Sequence, residues 1–194
     1  MRVLVLYAHP VETSFCAELN RQVAQTLQNS GHDVDMFDLN LEKFNPVLSR
    51  GERLAYHTIP DNRAPVEDCV RRLQAADALV IVTPIWNFGF PAILKGFFDR
   101  VFLPGVSFEM KNSKVRPRLH NLRRLLVIAT YGGTRFRARL MGDPPRLIVK
   151  RLLRATIRPG AAIRYLGLYD MNRADAAKRR RYLQAAKDHA ALMS

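Results

Sequence analysis

The stretch that most constrains this chain is residues 77–102, where a strand, an aromatic loop and a helix follow one another without interruption. Ala78 to Val82 form a continuous apolar run. Such a run reads as a strand buried on both faces, the kind found in parallel sheets. Thr83-Pro84 ends it, because proline has no N–H for the ladder. The loop Trp86-Asn87-Phe88-Gly89-Phe90 follows, and Pro91 then opens a helix with apolar residues at Ile93, Leu94, Phe97, Phe98 and Val101. Open α/β sheets bind ligands beyond the carboxyl ends of their strands, so a bulky aromatic loop there suits a flat, hydrophobic ligand. Alternatively, Trp86 and Phe88 simply cover the end of the sheet.

The same alternation recurs along the chain. Arg2–Ala8 reads as a first strand. A helix capped by Thr13 or Ser14 runs to about Asn29, with Phe15, Leu19, Val23 and Leu27 on one face. Gly31 closes it, and Asp33–Asp38 alternates as a second strand. Residues 40–64 hold Pro46, Gly51 and Pro60 and read as a long loop with room for one short helix. A helix near 65–75 feeds the apolar strand described above. Pro104, Gly105, Asn112 and Pro117 mark an excursion or hairpin over 104–120. Leu125–Thr130 reads as the fourth strand, Pro144–Ile157 as helical, Ala161–Tyr169 as the fifth strand and Arg173–Ala191 as the closing helix. Five alternations predict a parallel sheet. With 194 residues, 48% of them hydrophobic and no linker or repeat, one α/β domain spanning residues 1–194 is expected.

Several function classes drop out. The chain carries no Walker-type phosphate loop, no Gly-x-Gly-x-x-Gly fingerprint and no Gly-x-Ser-x-Gly elbow. His9, His32, His57, His120 and His189 are too dispersed to suggest a metal site, and no metal is expected. Cys16 and Cys69 fit no metal or redox spacing, which suggests a reducing compartment. No apolar run is long enough to span a membrane, and Met1-Arg2-Val3 leads straight into the first strand without a cleavable signal, so a cytoplasmic location is expected.

The charge is lopsided. Residues 1–97 carry nine Lys and Arg against eleven Asp and Glu, whereas residues 98–194 carry twenty-two against six. A basic half can meet an anionic dinucleotide or a membrane surface; nucleic acid is not expected as a partner. It can equally be a solvated, arginine-rich surface.

Three segments together carry a family resemblance. Pro84-Ile85-Trp86-Asn87-Phe88-Gly89-Phe90-Pro91-Ala92-Ile93-Leu94-Lys95-Gly96 resembles the isoalloxazine loop of flavodoxin-like NAD(P)H quinone reductases and azoreductases. His9-Pro10 with Ser14-Phe15 resembles their flavin phosphate loop, and Thr130-Tyr131-Gly132-Gly133 their third flavin loop. Asp99-Arg100-Val101-Phe102 and Gly105-Val106-Ser107-Phe108 also look like family segments. The likeness covers about residues 1–145 well. It implies a flavodoxin-like doubly wound sheet of five parallel strands in order 2-1-3-4-5, with helices on both faces.

On this resemblance the cofactor-binding residues are His9, Ser14, Phe15, Cys16, Pro84, Ile85, Trp86, Asn87, Phe88, Thr130, Tyr131, Gly132 and Gly133. Family members often carry asparagine where Cys16 stands. The turn after the first strand aims N–H groups at a phosphate, and Gly132-Gly133 allow close backbone approach to a ring edge. The flavin carries the chemistry, so no catalytic side chain is assigned beyond Tyr131 as a candidate. The family's Tyr and His after the Gly-Gly loop are missing from Thr134–Asp143. Arg135, Arg137 and Arg139 stand there instead, available for a dinucleotide phosphate and hence for NADPH over NADH.

The resemblance implies a flavin-dependent NAD(P)H oxidoreductase that reduces quinones or similar two-electron acceptors. FMN is favoured over FAD, because no segment is dedicated to an adenosine moiety. NADPH or NADH is the co-substrate, and a homodimer is expected. Two other readings stand beside it: a flavin-binding regulatory subunit of a potassium-efflux-type transporter, and a flavodoxin-like electron carrier. The formal charge of +14 weighs against the carrier.

Overall fold

The computed structural model describes residues 1–193. Among them, strands β1 (Arg2–Tyr7), β2 (Asp33–Asp38), β3 (Ala78–Ile85), β6 (Arg124–Tyr131) and β7 (Ala162–Leu168) form one sheet in the order β2-β1-β3-β6-β7. Every pairing in it is parallel. Strands β4 (Phe108–Lys111) and β5 (Lys114–Pro117) form a separate antiparallel hairpin between the third and fourth strands of that sheet. Without the hairpin, the order is the expected 2-1-3-4-5.

Side-chain alternation along the strands divides the core in two. Val3, Val5, Val80, Val82, Leu126 and Ile128 face helices α1 (Phe15–Asn29) and α7 (Ala176–Ala191). Leu4, Leu6, Leu79, Ile81, Leu125 and Val127 face α3 (Glu67–Ala75) and α4 (Ala92–Val101). Both faces of the sheet are therefore covered, which is why β3 is buried along its whole length. Ser14 proves to be the cap of α1, its side chain accepting the Ala17 N–H at 3.1 Å.

The segment before α3 is fixed by charge rather than by periodicity. A short helix, α2 (Arg50–Leu54), is held by a capping box between Ser49 and Glu52. Arg100, at the end of α4, donates to the Glu52 carboxylate from Nε at 2.7 Å and to the Asn45 carbonyl. Burial alone would raise the Glu52 carboxyl, but the Ser49 and Arg100 bonds outweigh it and hold it below its ordinary value. Arg72 is similarly buried, donating to Asp35, Glu42 and the Met36 carbonyl. Some of the chain's cations are thus internal struts.

The helical reading changes in two places. The helix expected over residues 144–157 is α6 (Pro144–Leu147), then a π-helical turn (Ile148–Leu152), then a 3₁₀ turn (Leu153–Ala155). Its buried residues, Pro145, Val149, Leu153, Thr156 and Ile157, keep one side of this irregular segment on the core. A short helix that the sequence reading did not anticipate, α5 (Arg135–Leu140), follows Gly133, capped by Thr134 accepting from the Arg137 N–H at 3.3 Å. No helix among the described residues is long and apolar enough to cross a membrane.

Candidate functional site

A parallel sheet brings all its strand-to-helix loops to one end. There a cavity of about 670 Å³ opens, within the range of roughly 300–1,000 Å³ usual for small-molecule sites. Its lining contains all thirteen residues singled out in the sequence: His9, Ser14, Phe15 and Cys16 after β1, Pro84 to Phe88 around the end of β3, and Thr130 to Gly133 at the end of β6. Met171 and Asn172 complete it, and the sequence reading missed them. They lie in the loop that follows β7. Since β7 runs parallel beside β6, topology alone would have put that loop at the same end.

The loops brace one another. The His9 ring meets Trp86 edge-on, with centroids 5.7 Å apart. The Gly133 carbonyl accepts the Asp170 N–H at 2.8 Å. A Cβ on Gly133 would lie 3.3 Å from the Phe88 ring, and one on Gly132 would lie 3.3 Å from Asn172 Nδ2. Neither glycine adopts a positive φ, so what a side chain at either would meet is a neighbouring side chain or a ligand, not backbone strain.

The positive φ values lie elsewhere. Asn87 and Phe88, at φ 48° and 56°, are the central pair of a turn closed by reciprocal Trp86 and Gly89 backbone bonds of 3.0 and 2.8 Å. That is the geometry of a type I′ turn. Asparagine tolerates it, but a phenylalanine there costs about 1–2 kcal/mol.

The polar character of the cavity comes from donors. The first two N–H groups of α1, on Phe15 and Cys16, have no partner among the described residues; nor do those of Asn87, Phe88, Gly132 and Gly133. The α1 terminus also brings the partial positive charge of a fifteen-residue helix. His9 Nδ1 accepts the Val11 N–H at 3.0 Å. Burial holds this imidazole below its ordinary value, so it is neutral near pH 7 and carries its proton on Nε2, as a donor. Burial pushes the Cys16 thiol up to about 12, against the smaller opposing effect of a bond with Thr130. Cys16 is therefore an inert wall.

Tyr131 is a different case. Its hydroxyl donates to Asp143 Oδ1 at 2.7 Å and pairs with the Tyr165 hydroxyl, and the residue is 1% exposed. Burial, with the neighbouring Tyr165, drives its ionisation far above the ordinary range. The hydroxyl is thus engaged by Asp143 and Tyr165 while the residue lines the cavity. Among the described residues no group of three or more His, Cys, Asp or Glu comes together.

Relatives share this architecture. The chain is 30% identical over 147 residues to NAD(P)H dehydrogenase [quinone] 1 of Cavia porcellus, a match covering 68% of this chain and 54% of that protein. The chain thus spans about half the length of the curated relatives it matches. The crystal structure of Smu.1420 from Streptococcus mutans UA159 superposes with a TM-score of 0.87 at 29% identity, covering 100% of both chains. The NAD(P)H:quinone oxidoreductase from Methanothermobacter marburgensis superposes with a TM-score of 0.85 at 25% identity, covering 100% of this chain and 99% of that one. A family profile described as "Flavodoxin-like fold" matches residues 1–190, and the chain accordingly belongs to that family, Flavodoxin_2.

Proposed function

We propose that this chain is a flavin-dependent NAD(P)H oxidoreductase that reduces quinones or similar two-electron acceptors. The observation that carries this reading is the convergence of three loops on one cavity whose peptide N–H groups are left without partners. The named activities of the relatives from Cavia porcellus and Methanothermobacter marburgensis support it. The residues present fit a flavin. The α1 terminus and the neutral His9 donor suit its phosphate, while the side-chain-free edge at Gly132-Gly133 suits a flat ring.

A bound flavin would supply the two-electron redox chemistry between a nicotinamide donor and the acceptor. The chain's own part is binding and electrostatics. Donors from Gly132 and Gly133 would stabilise negative charge at the ring's pyrimidine edge, and those of Asn87 and Phe88 would hold its opposite side. Trp86, 46% exposed, leaves the cavity mouth apolar and open for nicotinamide and then the acceptor. We assign FMN in preference to FAD, one domain over residues 1–194, and a cytoplasmic location. The purified protein is expected to be yellow, to release FMN of identifiable mass, and to oxidise a nicotinamide donor when a quinone is added. Colourless protein that gains no colour from FMN or FAD would end this assignment. A stable complex with a membrane transporter, without turnover, would favour a regulatory subunit.

The expected homodimer also belongs here. In the aromatic loop Phe88 and Phe90 are partly buried, Phe90 against Phe98. Trp86 remains, and α5 adds Phe136 and Leu140 at 75% and 74% exposure. A contiguous exposed apolar patch marks an interaction surface, and these three side chains are the residues offered for one. Light scattering at micromolar concentration should give twice the chain mass, and a fully active monomer would remove the proposal.

A further inference from the structure

A second cavity, of about 220 Å³, lies beside the first without sharing a lining residue. One aromatic layer separates them. Tyr131 lines the first cavity, Tyr169 lines the second, and the two rings stack with centroids 4.3 Å apart.

The second cavity is cationic. Arg135 and Arg139 reach it from one face of α5, four residues apart, and Arg146 reaches it from α6. No carboxylate pairs with Arg135 or Arg139 among the described residues, so two like charges stand side by side without a counterion. The one acid on its wall, Asp143, is already committed. Its Oδ1 accepts from Tyr131, and its Oδ2 accepts from Tyr169 at 2.9 Å and from Arg146 Nε at 3.2 Å. Arg146 also donates to the Tyr169 hydroxyl at 3.2 Å and lies over the Tyr165 ring. One guanidinium is thus pinned and two are free. Arg137, on the same helix, opens instead onto a hollow shared with Arg173 and Asp170.

We infer that this second cavity holds the ribose 2′-phosphate of NADPH and so sets the chain's preference for NADPH over NADH. The inference rests on the reading that a nicotinamide donor enters the first cavity. A dinucleotide is long enough to pass one aromatic layer with its far end. A phosphomonoester carries close to two charges near neutral pH, matching the two unpaired guanidiniums, and arginine binds such groups through bidentate forks. The pyrophosphate is common to both donors and cannot discriminate between them.

Calorimetry on the flavin-loaded protein tests this with adenosine 2′,5′-bisphosphate and 5′-AMP as probes. The bisphosphate should bind at least about tenfold more tightly than 5′-AMP, and Arg135→Gln or Arg139→Gln should each weaken it by roughly ten- to a hundredfold. Neither variant should shift 5′-AMP beyond about twofold, and Arg137→Gln should leave both probes alone. The same two variants should lower kcat/KM for NADPH and spare NADH. Equal binding of the two probes by the parent, equal losses for both probes, or an Arg137→Gln loss matching that of Arg139→Gln would each overturn the assignment. A parent with the expected binding pattern that oxidises neither donor keeps this site and loses the proposed activity. A parent that oxidises both donors equally without preferring the bisphosphate keeps the activity and loses the site.

Discussion

Gly132→Val should give a folded protein that purifies without flavin, with affinity for added FMN reduced about a hundredfold or more. The residue lies on the wall of the large cavity, is itself exposed, and has a backbone that an L side chain can adopt. The fold therefore tolerates a side chain there, whereas the ligand does not. A Cβ already stands 3.3 Å from Asn172 Nδ2, and valine adds two methyl groups that cannot rotate away from one another. They would hold a flat ring off the Gly132 and Gly133 N–H groups. Each such bond to a group bearing negative charge is worth about 1.5–3 kcal/mol, and losing one or two gives a fall of that size. Gly132→Ala should be milder, because the Asn172 amide is the mobile end of a side chain. Fluorescence titration of apoprotein with FMN measures both, and undiminished affinity in the valine variant would remove Gly132 from the site.

Gly96→Ala should cost about 3 kcal/mol or more of stability and lower Tm by roughly 6–12 °C in a chain of this size. Helix propensity argues the other way, since alanine in a helix interior is favoured over glycine by about 1 kcal/mol. Packing decides the sign. A Cβ on Gly96 would lie 2.3 Å from the Pro46 carbonyl oxygen and 2.5 Å from its Cα, a clash with backbone. Relief requires lifting the whole segment off α4. Phe44 packs there against Phe37 and Phe97, and Arg100 anchors it through Asn45 and Glu52. A thermal melt of the variant settles the matter, and a Tm equal to or above the parent's would mean that residue 46 does not sit on this helix in solution.

The contrast between Gly96 and Gly132 shows what each level of description contributes. Both glycines stand in motifs legible in the linear chain. Their purposes are not legible there, since each depends on a residue far away in sequence, Pro46 or Asn172. The same holds for the arginines after Gly133. In sequence they form one basic run, but helical periodicity in α5 sends Arg135 and Arg139 to one cavity and Arg137 to another.

What the chain announces by itself is whatever depends on local periodicity. Solid apolar runs such as Ala78–Val82 mark central parallel strands, because only such strands are buried on both sides. The breaks after β1, β3 and β6 mark loops that a parallel sheet must collect at one end, so periodicity located the loops, and the family resemblance named the thirteen individual residues that line the cavity. Tertiary structure alone decided which side chains converge from separate segments. It brought Met171 and Asn172 to the cavity and withdrew the Tyr131 hydroxyl into a buried network with Asp143 and Tyr165. Periodicity encodes which face of an element is buried. Which distant groups meet across that face depends on the packing of the whole chain, and so do the free donors and cations that remain for a ligand.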